Sequence, residues 1–246
     1  MCEDARVLTA SRVAQGLRRR AWILRYRGTE VLCPVCGHQF RRFRDDWNRP
    51  NAICWRCGSH ERHRALWLLF ERRPELLASA RSLLHFAPEW GIRQRLKRCS
   101  RLRYVTADLE QPDVELRLDI TAMALPDSAF DAVICSHVLE HVLDDAAALS
   151  ELRRITAPEG WCLVMVPLDL GREHTYEDPT ITDPQERERV FWQHDHVRLY
   201  APDIGERLAM AGFHVERIRP RAEFGDGAME RCRILDADET WLCRPH

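Results

Sequence analysis

The sequence predicts an α/β protein: a mainly parallel sheet covered by helices on both faces, with a small cysteine-bearing module ahead of it. Three observations carry this. From about residue 80 short apolar runs alternate with helical segments, the texture of repeated strand–helix–strand units. Several of those runs are apolar throughout, as strands buried on both faces require. Ahead of them stand two Cys-x2-Cys pairs, Cys33/Cys36 and Cys54/Cys57.

In chain order, residues 5–27 read as a helix, with Val7, Val13, Leu17 and Leu24 on one side and arginines on the other. The cysteine knuckles follow over 31–60. Glu61 to Arg72 is a helix with Ala65, Leu66, Leu69 and Phe70 as its buried stripe, stopped by Pro74. Ser82–Ala87 is a strand and Trp90–Arg98 a helix. Leu102–Thr106 is a second strand ending at Asp108, and Leu116–Leu118 leads to Asp119. Phe130–Cys135 is an apolar strand, Asp144–Ile155 a helix, and Trp161–Val166 another buried strand. A helix over 203–211, a strand over Phe213–Ile218 and a last strand near Thr240–Cys243 complete the pattern. The divisions are an N-terminal helical segment (1–30), the cysteine module with its helix (31–75) and the main domain (76–246). Within the last, 167–200 is a long irregular insertion of the kind that serves as a lid or binding loop.

No stretch is long and apolar enough to cross a membrane, and the N-terminus lacks the basic and apolar regions of a secretory leader. A cytoplasmic protein is expected. The net charge of −1 hides an asymmetry: residues 1–73 hold sixteen arginines against seven carboxylates, a surplus of +9, and the remainder carries −10. A basic N-terminal part fits either an anionic partner or a solvated surface resting against an acidic domain.

The four cysteines read C-x2-C-x17-C-x2-C. In a chain without an export signal that spacing means a metal site, not disulfides. Four thiolates in tetrahedral array select zinc and leave no place for water, so Cys33, Cys36, Cys54 and Cys57 are expected to hold a structural Zn2+. Gly37 and Gly58, one after each pair, suit the tight turns. The remaining cysteines read as small core residues or incidental thiols.

In an open α/β sheet a ligand sits at the carboxyl ends of the strands near the point where strand order reverses. Three segments fall there: His85-Phe86-Ala87-Pro88-Glu89-Trp90-Gly91 between first strand and first helix, Asp108-Leu109 after the second strand, and Asp119-Ile120 after the third. Asp108 is placed to accept from ribose hydroxyls, Asp119 from an exocyclic adenine amine, with Ile120 over the ring. Each Asp also fits a turn or helix cap.

The run from His85 to Gly160, with Pro126-Asp127-Ser128-Ala129-Phe130-Asp131 and Ser136-His137-Val138-Leu139-Glu140-His141-Val142, resembles class I S-adenosylmethionine-dependent methyltransferases of the type-11 kind. With Glu61-Arg62-His63-Arg64, Tyr176-Glu177-Asp178 and Asp195-His196-Val197-Arg198, the chain is similar to a bacterial subgroup that joins a zinc-ribbon-like N-terminus to that domain. The resemblance implies a Rossmann-like, mostly parallel sheet of seven strands. It also implies a cofactor site of His85, Ala87, Pro88, Glu89, Gly91, Asp108, Leu109, Asp119, Ile120, Ser136 and His137. The usual acidic-x-Gly-x-Gly-x-Gly loop is replaced here, only Ala87 and Gly91 keeping its lack of bulk.

Methyl transfer is in-line displacement at a sulfonium methyl. The protein aligns the partners and takes a proton from an oxygen or nitrogen acceptor. His137, Glu140 and His141 have the spacing of one helix face. His194-Asp195-His196 lies in the insertion. The expectation is that His196 or His194 accepts the proton, that Asp195 orients an imidazole, and that His141 belongs to the same centre. Tyr176 and Arg198 are expected to position the acceptor, and Arg62 and Arg64 to hold an anionic group on it, unless they are a polar helix face packed on the main domain. His137-x-x-Glu140-His141 with a remote histidine also resembles the divalent-cation set of some O-methyltransferases, with His137 where those have Glu. The expected acceptor is a small molecule, of the kind found in specialised metabolism. The alternatives are an RNA or nucleotide acceptor docked through Trp47, Trp55 and the nearby arginines, and a binding module without catalysis.

Overall fold

The structure, a computed structural model, describes residue 16, residues 18–47 and residues 49–246. Most of the helix expected over 5–27 lies outside the described residues; over 18–25 the backbone is helical. The cysteine module consists of two hairpins. In one, β1 (Arg27–Cys33) pairs antiparallel with β2 (His38–Phe40); in the other, β3 (Arg44–Asp46) pairs with β4 (Arg49–Ile53). Gly37 and Gly58 close the knuckles at φ 70° and 73°, and their N–H groups donate back to the Cys33 and Cys54 carbonyls at 2.8 and 3.0 Å. A side chain at either position would be strained.

The chain then runs through α1 (Glu61–Arg72), α2 (Glu75–Ser79), β5 (Ser82–Phe86), α3 (Trp90–Leu96), β6 (Arg103–Asp108), β7 (Leu116–Arg117) and β8 (Phe130–Ser136). It continues as α4 (Asp145–Ile155), β9 (Thr156–Met165), β10 (Tyr176–Glu177), α5 (Pro184–Phe191), β11 (Arg198–Leu199) and α6 (Ile204–Met210). The last elements are β12 (Phe213–Ile218), α7 (Pro220–Phe224), α8 (Asp226–Cys232) and β13 (Thr240–Pro245). Seven strands form one sheet in the order β12-β13-β9-β8-β5-β6-β7. The strands from β9 to β7 pair in parallel, and β13 is antiparallel to both its neighbours.

Alternate residues of the central strands face opposite ways. Leu83, Ala132, Ile134, Trp161, Leu163 and Leu242 belong to the core on one face, together with Leu66, Leu69 and Phe70 of α1 and with Val35, Phe40 and Phe43 of the module. Leu84, Phe86, Val133, Cys135, Val164 and Cys243 belong to the other, with Leu149 and Leu152 of α4 and Leu208 of α6. The module is therefore part of one core with the sheet. Arg64 reinforces this: fully buried, its guanidinium donates to the carbonyls of Ala52 and Ser59 in the module and of Cys232 and Arg233 at the end of α8.

From β5 the chain moves outward through β6 and β7, then returns to the other side of β5 with β8 and β9. The carboxyl ends of β5 and β8 thus flank the place where a sheet of this kind opens a crevice. Two features differ from expectation. Residues 137–141 form no α-helix but a short 3-10 turn over Leu139–His141, because His137 takes a left-handed φ of 55°. The insertion is not irregular throughout: β10 and β11 pair antiparallel within it and α5 lies between them.

Candidate active site

Both strands bordering the crevice run into residues with unusual backbone. Ala87, just after β5, has φ 45°, and His137, just after β8, has φ 55°. Such conformations are uncommon without glycine and concentrate at functional sites. Ala87 is held by its N–H to the Ala107 carbonyl at 2.9 Å, His137 by its N–H to Met165 at 2.8 Å.

Glu89 starts α3 in the middle of the loop that replaces the glycine-rich one. Its carboxylate lies 3.2 Å from His63 Nε2 and 3.1 Å from His85 Nε2, and the Ser136 hydroxyl donates to it at 3.3 Å. His63 Nδ1 accepts the His60 N–H at 3.2 Å, so its proton sits on Nε2, facing Glu89. His85 is fully buried and its other nitrogen meets the Tyr104 hydroxyl at 2.9 Å. Burial works against the charge of Glu89, but His63 and His85 hold its carboxyl well below the usual range. Burial pushes the Tyr104 hydroxyl up. Helix α1 of the module thus contributes directly to this loop.

Asp108 ends β6, half exposed; one carboxylate oxygen accepts the N–H groups of Glu110 and Gln111 at 2.8 Å each. Asp119 likewise uses one oxygen for the Thr121 N–H and hydroxyl, bonds that lower its pKa. In each the second oxygen remains for a ligand. Ile120 is buried and Leu109 half exposed. An adenosine group fits such a pair of carboxylates with an apolar cover. In the loop after β5 the largely buried carboxylate of Glu89 offers an acceptor suited to a cationic group. Gly91 is turned the other way, since an added Cβ would lie 2.7 Å from Ser59 Oγ and 3.1 Å from Val35 Cγ1. Its smallness lets α3 approach the cysteine module.

Beyond β8 a second cluster forms. Glu140 is 1% exposed, and neither carboxylate oxygen has a hydrogen-bond partner, although His137 Nδ1 lies 3.2 Å away. One ligating atom from each of Glu140, His141 and His196 lies within 4.8 Å of the others. His196 is buried, and its Nδ1 donates to the Phe191 carbonyl at 2.8 Å; burial lowers its pKa. Asp195 Oδ2 faces His141 Nδ1 at 3.2 Å. Partial burial opposes its charge, but Gln193 and His141 keep it ionised. The imidazole that Asp195 meets is therefore that of His141; His194 is mostly exposed, 4.0 Å from Asp195 at its nearest.

Arg198 stitches the insertion onto this turn. It is 4% exposed and donates to the carbonyls of Leu139, Val142 and Leu143 and to Glu177. Val197 N–H adds a bond to the Glu140 carbonyl at 2.9 Å. Arg198, expected at the acceptor, has its guanidinium engaged with carbonyls and Glu177, and Arg64 follows the alternative of packing on the main domain, its guanidinium engaged with carbonyls. Tyr176 sits half-buried against Phe191, with Arg172 over its ring. Arg62 is half-buried, its Nε without a partner, and its charge helps lower the pKa of His137, after burial the largest cause. The contribution of Tyr104 is new: nothing in a Tyr at the second position of a strand says which loop it will meet.

In the module the four sulfurs lie within 4.8 Å of one another, with Cys33–Cys57 at 3.5 Å and Cys36–Cys54 at 3.7 Å. Four thiolates around one zinc stand about 3.8 Å apart for a Zn–S bond of about 2.3 Å. The set fits that ion.

Residues 91–164 match the family model described as a methyltransferase domain. No curated protein matches the chain. Among solved structures, the 4+2 cyclase SpnF superposes with a TM-score of 0.53 at 15% identity, covering 83% of this chain and 86% of its own. An S-adenosylmethionine-dependent methyltransferase from Archaeoglobus fulgidus gives 0.47 at 13%, with 73% and 92% covered. The 1,6-didemethyltoxoflavin-N1-methyltransferase of Burkholderia thailandensis gives 0.44 at 14%, with 74% and 80% covered. At such identities the likeness concerns the fold, and a cyclase in this group shows that the fold alone does not name a reaction. The seven-stranded sheet with its reversed β13 is thus a fold shared with SpnF, and residues 91–164 within it are similar to a methyltransferase domain. The cysteine module is built against this sheet.

Proposed function

We propose that the protein transfers a methyl group from S-adenosylmethionine to an oxygen or nitrogen of a small-molecule acceptor. The observation that carries this reading is the cluster at the end of β8, where Glu140, His141 and His196 converge under an insertion fastened to the same turn. The cofactor would be held by Asp108, Asp119 and Ile120 at its adenosine end and by Glu89 at its ammonium. When bound it supplies an activated methyl carbon. The chain's own residues orient the acceptor and remove its proton. His196 has its Nδ1 proton committed to a carbonyl, leaving Nε2 free to accept; His141 is oriented by Asp195 in the same manner. Tyr176 and Arg62 are the remaining candidates for acceptor contact.

A small acceptor is favoured over RNA by the insertion fastened to the turn after β8, placed as a cover for an acceptor. Trp55 is stacked on Tyr26 and Trp22 and its Nε1 donates to the Arg42 carbonyl, while Trp47 is exposed. We further assign one structural zinc to Cys33, Cys36, Cys54 and Cys57.

Calorimetric titration with S-adenosylmethionine and S-adenosylhomocysteine tests the reading. Micromolar binding, about −8 kcal/mol, is expected, weakened at least tenfold by Asp108→Ala. A folded protein that binds neither compound would overturn it.

A further inference from the structure

The cluster beyond β8 has an unusual balance of donors and acceptors. Both oxygens of Glu140 are buried without a partner. His196 Nδ1–H donates to the Phe191 carbonyl, so the lone pair of the neutral ring is on Nε2. His141 Nδ1 lies 3.2 Å from the Asp195 carboxylate, which favours a proton on Nδ1 and leaves Nε2 for another partner. The two rings meet edge to face with centroids 4.8 Å apart. A carboxylate without a hydrogen-bond partner and two imidazoles therefore converge, and such a carboxylate is costly when left bare.

We propose that Glu140, His141 and His196 bind a divalent transition-metal ion, distinct from the zinc of the cysteine module. The donor chemistry is that of two-histidine, one-carboxylate sites that leave coordination positions open. The outer contacts resemble those of ligating histidines, the second ring nitrogen lying 3.2 Å from a carboxylate in one case and donating to a backbone carbonyl in the other. The His141 side chain is one-third exposed, so the open positions face the surface of the crevice. Three pieces of chain are needed: the turn after β8 supplies Glu140 and His141, the insertion supplies His196, and the bonds of Val197 and Arg198 to that turn set their spacing.

For function this deepens the proposed methyl transfer and rests on it. An acceptor oxygen lying on the metal would lose its proton more readily, with the ion taking over the task of a free imidazole base. Acceptors would then be oxygen compounds able to chelate, such as vicinal diols or hydroxy-carbonyl compounds.

The test is metal binding to the intact, zinc-containing protein with no cofactor or acceptor present. Zinc content is measured after saturation with Zn2+, and Mn2+, which avoids thiolates, is titrated by electron paramagnetic resonance. Two zinc ions per chain are expected, or one zinc plus one Mn2+. His141→Asn and Glu140→Gln are expected to reduce this to the single cysteine-bound zinc, with the melting temperature of His141→Asn unchanged. Asp195→Asn should weaken the second ion about 10- to 100-fold. One zinc and no Mn2+ in the wild-type protein, or variants that bind as it does, would overturn the proposal. Binding of S-adenosylhomocysteine in that same sample would show that the methyltransferase reading survives alone; a second metal without it would show the reverse.

Discussion

Two residues define the crevice by their backbone. Ala87 and His137 hold left-handed conformations at the ends of adjacent parallel strands, which turns the chain sharply and leaves the strand ends open. Around them the side chains are chosen by charge. Glu89 replaces a small residue in the loop and stays ionised only because His63 and His85 lie against it. Nearby His60 shows the opposite effect. Burial, together with the charges of Arg62, His63 and Arg49, pushes its pKa down to about 3. Its folded-state value is therefore below the unfolded value of about 6.5, so the unfolded chain binds the extra proton and stability falls as pH drops below about 6.5. At pH 5 the loss from this residue is at most about 2 kcal/mol. His60→Gln, which does not titrate, is expected to lose correspondingly less stability than the wild type between pH 7.5 and 5 in urea unfolding. Equal losses in the two proteins would show that His60 titrates normally.

At the scale of elements, the insertion is better described as a strap than as a loose loop. The β10–β11 pair closes its base. Arg198 and Arg207 share the carboxylates of Glu177 and Asp145, and the Tyr200 hydroxyl donates to Asp145 at 2.8 Å. Asp145 begins α4, so the strap is tied to both the turn and the helix that follow β8. Replacing Arg198 by Gln leaves three carbonyls and a carboxylate short of donors. A loss of about 2–4 kcal/mol is expected in chemical denaturation, with faster proteolysis confined to residues 167–200. Wild-type stability and protection would mean that the carbonyls are satisfied by water instead.

At the scale of the molecule, the cysteine module is a wall of the sheet domain. It shares a core with the sheet, supplies α1 with His63 to the loop after β5, and is locked to the far end of the chain by Arg64. Removing zinc should therefore not melt the module alone. Chelation is expected to lower the melting temperature of the whole chain in one calorimetric transition, and to weaken S-adenosylhomocysteine binding in parallel. Two separate transitions, with ligand binding intact, would show an independent appendage. A similar effect is expected of Cys54→Ser.

Much of this was legible beforehand because it depends on local pattern. The buried strands announced themselves as apolar runs, the knuckles by their spacing and their glycines, and Asp108 and Asp119 by their position after strands. The helices α7 and α8, five and seven residues long, carried no comparable signal, since a short helix shows too little of its period. The 3-10 turn at Leu139–His141 was hidden for another reason. Its residues have helical spacing, and only the left-handed backbone of His137 breaks the pattern.

What the sequence by itself determined is the alternation of strands and helices, the four-sulfur set and the identity of the groups at the strand ends, because each follows from neighbours along the chain. Only the tertiary structure decided which groups meet. It spent Arg64 and Arg198 on backbone carbonyls, turned Gly91 toward the module, gave Asp195 to His141, and set His63 against Glu89. Those pairings join residues far apart in the chain, and their geometry is fixed by packing and by the need to satisfy buried charges, which no local pattern records.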